Sequence, residues 1–476
     1  MTIPDILSQI KSTSARAVVE NSLKLASSNE SYHAILNLTS ERALKRADEV
    51  DSGKITGKLA GVPFVVKDNF LAFGAPTTAA SKMLENFDAP LQATAVEKLE
   101  AAGAICIGKA NLDAFAHGGS TENSAFGPTK NAIDTSRVAG GSSGGSAVVT
   151  ALNIVPFALG SDTGGSIRQP ASYNGVVGVK TTYGAVSRFG VVAMASSTDV
   201  IGSFATNVAD AELITDIIAG RDERDMTTLP DFFEIQSETK PKQKIGLVAD
   251  FMTDNVDPEV RATVNEYVEK LKSKGHIVEA VNLPMAEYSL AIYYIIVPAE
   301  LSSNLARYDG IRYGYRASEA KTLAELYGKT RDQGFVTENK RRIMIGSYVL
   351  SSGYFDAYYL QAQKARTLLI NEFDKLFENY DVLIGPTAPT PAFKLGENTA
   401  DPIKMYLNDI MTVPTSLAGL PAISVPAGVN KSGLPIGVQL MGQRQSDAML
   451  LSLARSMEAC PPKLRDEVLA DKERKF

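Results

Sequence analysis

The 476-residue chain has no tryptophan, three histidines and two cysteines. Each scarcity excludes a kind of chemistry. Cys106 and Cys460 are too few for a disulfide framework and stand in no C-x-x-C pair, which fits a reducing cytoplasm. His33, His117 and His276 fall in no metal-ligand pattern such as H-E-x-x-H, so a metal hydrolase has no donor set to rest on. A Ser–His–Asp triad would need one of these lone histidines, and no G-x-S-x-G elbow supports it. No glycine loop ends in the G-K-[S/T] of a phosphate-binding loop, and no G-x-G-x-x-G opens a helix. Long apolar runs are missing too: none reaches the roughly 18 residues of a membrane helix. The first residues, MTIPDILSQIKS, carry Asp5 and lack a basic start, so they do not read as a signal peptide. Cations are not in excess. The 48 Lys and Arg against 54 Asp and Glu leave a net charge of −6, which excludes a basic nucleic-acid surface but not a partner that binds nucleic acid.

What remains is an ordinary globular composition, 44% hydrophobic and 21% charged, on a chain long enough for a large core. Residues 1–58 read as helical, with Ser40 to Asp51 rich in good helix formers. Val62 to Val66 and Ala104 to Gly108 are short β-branched runs, as in buried strands, with a helix expected from Thr94 to Gly103. Lys244 to Asp250 reads as a strand. A helix capped by Asp257 and begun at Pro258 follows it, with Val260, Val264, Val268 and Leu271 on one face and Gly275 at its end. His276 to Pro284 returns as a strand. Residues 285–375 read as a helical insertion. Strand texture resumes at Tyr380 to Pro391, Pro421 to Val429 and Leu434 to Gly442, and a helix is expected over Asp447 to Glu458. The alternation predicts an α/β fold: a mixed, mostly parallel central sheet covered by helices on both faces, in one domain spanning 1–476.

Two serine–glycine loops stand out. AGGSSGGSA covers Ala139 to Ala147, and GSDTGGSIRQPA covers Gly160 to Ala171. In the second, Ser166 follows Thr163, Gly164 and Gly165, whose backbone N–H groups could turn toward an oxyanion beside its hydroxyl. Asp162 and Arg168 bracket that loop, either bracing it or forming a surface ion pair. Ser142 or Ser143 could relay a proton, since a hydroxyl both donates and accepts. Lys67, in GVPFVVKDN, could serve as base if burial pulled its pKa down from about 10.4. Equally, it could pair with Asp68 at a strand end.

These three segments together resemble the amidase signature family. Ser142 lies 75 residues after Lys67, and Ser166 lies 24 after Ser142, as is usual there. The resemblance implies a triad of Lys67 as base, Ser142 after a cis peptide bond as relay, and Ser166 as nucleophile. HGGSTENSAFGPTKN, RYDGIRYG, RRIMIGSYVLSSGYFDAYY and MYLNDIMTVPTSLAGLPAISVP are similar to the glutamine-hydrolysing subunits of tRNA-dependent amidotransferases within that family. That likeness implies Arg342 on the glutamine α-carboxylate, with Arg341 as the alternative, Asp409 on its α-amino group, and Tyr293 as a third contact. It implies no cofactor on this chain, two further subunits in a heterotrimer, tRNA bound mainly through the partner, and ATP with Mg²⁺ used there. The rivals are a stand-alone small-amide amidase and a non-catalytic scaffold subunit. The sequence departs from the pattern at Ala132 and Ala139, where proline is frequent, at His117, where methionine is frequent, and at Thr198 and Val200 around Asp199.

Overall fold

The structure is a computed structural model of the chain, and it describes residues 1–235 and 242–458. Cys460 and the last stretch of the domain expected over 1–476 lie outside those residues. Eleven strands form one sheet among the described residues. In chain order they are β1 (Ile35–Leu38), β2 (Pro63–Lys67), β3 (Ile105–Ala110), β4 (Phe157–Asp162), β5 (Val177–Lys180), β6 (Val200–Ala205), β7 (Lys244–Val248), β8 (Ile277–Val281), β9 (Val382–Pro386), β10 (Ala422–Val429) and β11 (Pro435–Gly442). Their spatial order is β1-β3-β2-β4-β6-β5-β10-β11-β9-β7-β8.

The sheet is mixed and helix-covered, as the alternation predicts, but its parallel part is smaller than expected. Parallel pairing occurs in two blocks, β3-β2-β4 and β9-β7-β8. Between them β4-β6, β6-β5, β5-β10, β10-β11 and β11-β9 are antiparallel. A short turn at Lys431–Gly433 makes β10 and β11 a hairpin, which can only be antiparallel. The N-terminal segment is also not wholly helical. Ile35–Leu38 pairs antiparallel with β3 at the edge of the sheet, between helices Ala15–Ser28 and Ser40–Asp51.

Successive residues of the central strands face opposite sides. Phe64, Val66, Phe157 and Leu159 join one apolar cluster with the helices Thr94–Ala101 and Val208–Ile218. Val65 and Ala158 join another with the helices Ala15–Ser28 and Gly144–Ala151. Both faces are therefore covered, and β2 to β6 are buried throughout. The helix Pro258–Ser273 is capped by Asp257 and buries Val260, Val264, Val268 and Leu271. Residues 285–375 carry helices, among them Ser289–Asn304, Leu323–Gly334, Thr337–Val349 and most of Leu360–Phe377.

Candidate active site

Lys67 ends β2, beside β4 in parallel register, so the carboxyl ends of both strands open at one place. In open α/β sheets this is where a crevice forms. The register runs Val66 opposite Leu159, which brings Lys67 level with the last residues of β4, where Ser161 stands. Lys67 is fully buried. Its Nζ donates to Ser142 Oγ at 2.8 Å, to Ser161 Oγ at 2.9 Å and to the Ser161 carbonyl at 3.3 Å. No carboxylate pairs with it among the described residues. Burial lowers its pKa to about 7, even though the fields of Asp113, Asp162 and Asp199 oppose the shift. The Lys67–Asp68 pair does not form, because alternate strand residues point to opposite faces. Asp68 instead meets Lys109 at 2.9 Å and the Thr78 hydroxyl, all buried.

The first serine–glycine loop leads into the helix Gly144–Ala151, with the Gly141–Ser142 peptide bond cis. The geometry separates the two serines left open by composition. Ser142 Oγ meets Lys67, whereas Ser143 Oγ donates to the Ser161 carbonyl at 3.1 Å. Gly141 has no room for a side chain: a Cβ there would lie 2.6 Å from Ser120 N and 2.8 Å from Thr121 N.

The second loop runs from β4 into the helix Arg168–Asn174 and carries Ser166, 8% exposed. Asp162 and Arg168 are no surface pair. Both are fully buried and meet twice, Nη2 to Oδ1 at 2.9 Å and Nε to Oδ2 at 3.0 Å. Asp162 Oδ2 also accepts from Ile167 N at 3.1 Å. Burial alone would raise this carboxyl. Arg168 outweighs it, with help from Lys180, and holds the pKa at about 2. Arg168 Nη1 reaches on to Thr415 Oγ1 at 2.7 Å and Gln439 Oε1 at 2.6 Å, so one guanidinium ties the loop to the far segment 412–416 and to β11. Within the loop, Thr163 Oγ1 donates to Asp199 Oδ1 at 2.7 Å, and Thr412 Oγ1 donates to the Gly164 carbonyl at 2.6 Å. The backbone amides of Thr163, Gly164 and Gly165 find no acceptor among the described residues.

Tyr293, on the helix Ser289–Asn304, is buried against this loop: a Cβ on Gly164 would lie 2.7 Å from its hydroxyl. Arg342 is 3% exposed, bonds Glu338 Oε1 at 2.8 Å and lies over the rings of Tyr294 and Tyr406 at 5.2 and 5.5 Å. Arg341, the alternative, has a 40% exposed side chain and pairs with the other oxygen of Glu338. Asp409 is partly exposed, and its carboxylate faces Gly119, where a Cβ would lie 3.6 Å from either oxygen. Desolvation raises its pKa to about 8. Arg342 opposes that shift, while Asp162 and Asp113 add to it. Arg342 therefore shares one electrostatic environment with Asp409 and Tyr293.

Sequence reasoning missed several members of the cluster. Ser161 receives both Lys67 and the Asn69 amide, the latter at 3.1 Å. Asp113 donates its N–H to the Ser142 carbonyl at 3.2 Å, and its carboxylate accepts from Thr121 N and Asn123 N. Gln169 bridges the loops, accepting from Gly141 N at 2.9 Å and donating to the Gly119 carbonyl at 2.8 Å. The available signal was a polar residue at or just past the carboxyl end of a buried strand, true of Ser161 near the end of β4 and of Asp113 three residues after β3. Among the described residues no three His, Cys, Asp or Glu side chains gather to hold a metal, and no helix is long and apolar enough to cross a membrane.

A buried lysine on a serine, beside a glycine loop that presents a second serine, defines an amide-hydrolase type of centre. The pattern of the family described as Amidase matches residues 17–451, and the chain belongs to that family. It is an enzyme of the amidohydrolase and amidotransferase class. It is 51% identical over 447 residues to the A subunit of the glutamyl-tRNA(Gln) amidotransferase of Thermosynechococcus vestitus, covering 92% of this chain and 93% of that one. The corresponding polypeptide of Carboxydothermus hydrogenoformans is 52% identical over 433 residues, 89% of each chain. Among solved structures, the same component of the Thermotoga maritima glutamyl-tRNA(Gln) amidotransferase superposes with a TM-score of 0.82 at 39% identity, covering 97% of this chain and 95% of that one.

Proposed function

We propose that the chain is the glutaminase subunit of a tRNA-dependent amidotransferase, in which Lys67, Ser142 and Ser166 hydrolyse glutamine. The observation that carries the chemistry is the buried Lys67 Nζ at 2.8 Å from Ser142 Oγ, with no carboxylate partner among the described residues and a pKa of about 7. A lysine so placed is a proton acceptor at working pH. Ser166 Oγ attacks the side-chain carbonyl carbon of glutamine. Its proton passes to Ser142 Oγ as the Ser142 proton passes to neutral Lys67. The resulting oxyanion faces the backbone amides of Thr163, Gly164 and Gly165. The C–N bond then breaks, and the proton held by Lys67 returns through Ser142 to the departing nitrogen, which leaves as ammonia. Water attacks the glutamyl ester by the same relay and releases glutamate, restoring Ser166.

Arg342 suits the α-carboxylate, since a planar guanidinium offers paired donors. Asp409 suits the α-ammonium, and Tyr293 packs where the substrate meets the loop. Ammonia released here serves a partner that uses ATP and Mg²⁺ to convert Glu-tRNA(Gln) to Gln-tRNA(Gln), in line with what the relatives are named for. The tRNA is held mainly by the partners, two further subunits in a heterotrimer, and this chain itself needs no cofactor.

The reading is tested on the complex recovered from the native host through a tag on this chain. It is expected to release ammonia from glutamine and to form Gln-tRNA when Glu-tRNA and ATP are supplied. A chain that hydrolyses simple amides and ignores glutamine would instead be a stand-alone amidase.

The pKa directions give a second expectation. Lys67 must be neutral to accept a proton, and Asp409 must be ionised to hold the ammonium. Both conditions fail as pH falls, through about 8 for Asp409 and about 7 for Lys67. Thus kcat/KM for glutamine should fall on the acid side, with a log–log slope that steepens from one toward two. The kcat profile, which reports the bound complex, should keep the Lys67 limb. A kcat/KM profile level through neutrality would contradict both assignments.

A further inference from the structure

His117 lies at the end of the short turn Ala114–Ala116 and is fully buried, yet its Nε2 has no hydrogen-bond partner among the described residues. A buried polar nitrogen without a partner is costly and calls for a reason. Its other ring nitrogen is fixed. Asn339 Nδ2 donates to the Ala114 carbonyl at 2.9 Å and lies 2.6 Å from His117 Nδ1. The carbonyl can only accept, so the amide nitrogen of Asn339, not its oxygen, must face it. The same nitrogen therefore donates to Nδ1, which accepts, and the ring proton sits on Nε2. Burial and the fields of Arg342 and Lys67 keep the ring neutral. His117 thus holds one unused N–H donor, and the oxygen of Asn339 is likewise without a partner among the described residues.

The placement says what the donor serves. Asn339 and Arg342 stand three residues apart on the helix Thr337–Val349, hence on one face. Of the charges acting on His117, Arg342 is the strongest and Lys67 the next. Two residues after His117, Gly119 faces the Asp409 carboxylate, where a Cβ would lie 3.6 Å from either oxygen, so the unused N–H belongs to the segment that lies against the residues assigned to the substrate's amino-acid head.

We infer that His117, held by Asn339 as the Nε2–H tautomer, is a substrate-positioning residue that donates to the carboxylate of the bound amino-acid amide alongside Arg342. The inference rests on the glutaminase reading and extends it by one contact. It makes the carboxylate a shared ligand of one charged and one neutral donor, so that an amide lacking that group leaves the His117 donor unsatisfied.

The test compares wild type, His117→Met and His117→Gln in the complex recovered with this chain, on glutamine and on 4-aminobutanamide, which lacks the carboxylate. His117→Met keeps the bulk and removes the donor, and is expected to raise the glutamine KM about tenfold, the loss of one hydrogen bond to a charged group. The effect should fall on KM rather than kcat and be smaller on 4-aminobutanamide. His117→Gln, which restores an N–H at similar reach, should recover most of the loss. A glutamine KM within twofold of wild type in a His117→Met protein of normal melting temperature overturns the inference, as it would if a buried water used the donor. So does an equal loss on both amides, or no recovery with glutamine at 117. Wild type that cleaves 4-aminobutanamide but not glutamine would overturn the glutaminase reading itself and this inference with it.

Discussion

Replacing Ser166 with alanine is expected to lower glutamine hydrolysis by about 10⁵-fold, with the fold intact. Removing the nucleophile of a serine triad costs about as much as removing the whole triad, because its members act as a unit. The substitution takes away one hydroxyl at a position 8% exposed. The Ser166 carbonyl still accepts from Ser143 N at 3.2 Å, and the Asp162–Arg168 brace beneath the loop is untouched. The melting temperature should therefore stay close to wild type while ammonia release disappears, and Gln-tRNA formation should be rescued by added ammonia. Loss of both activities together with the fold would indicate a structural serine instead.

Lys67→Met carries the second large effect, a fall in kcat on the order of 10⁴-fold, the upper range for loss of a positioned general base. Methionine matches the stem of lysine and removes an amine that is costly to bury. The preceding strand residues Phe64, Val65 and Val66 are buried and unchanged, so the sheet should hold. What is lost is the acceptor at 2.8 Å from Ser142 Oγ. The acid limb of kcat should vanish with it, because no other buried amine among the described residues touches Ser142. Steady-state kinetics from acid to neutral pH, with a thermal melt on the same sample, checks both statements. A variant within tenfold of wild type would remove Lys67 from the proton path.

How much of this was legible beforehand differs from residue to residue. The loops were legible because glycine and serine in such density inside a globular chain have few other uses. Lys67 stood out as a lone cation after an apolar run. Its partner did not: strand alternation sends Asp68 to Lys109 and leaves Lys67 on Ser142, and that choice depends on which face each strand turns inward. The antiparallel centre of the sheet was hidden for a similar reason. β5 and β6 are short and glycine-bearing, and a Cβ on Gly202 would strike the Val179 carbonyl. Glycine there permits close strand approach but reads as a turn signal in the sequence. Arg168 was seen as half of a pair, yet its bonds to Thr415, Ser416 and Gln439 join segments more than 240 residues apart, which no local pattern encodes. Breaking such a buried pair on one side leaves the other charge stranded, which explains why the loop depends on so distant a segment.

The central claim is that glutamine is cleaved through an ester on Ser166, and trapping that ester tests it most directly. The complex is mixed with glutamine, quenched in acid within one turnover, digested and measured by mass spectrometry. A glutamyl group on the peptide containing Ser166, absent from Ser166→Ala and converted to glutamyl hydroxamate when hydroxylamine replaces the quench, is the expected result. A glutamyl group on another residue, or full turnover with no adduct at any time point, would contradict it.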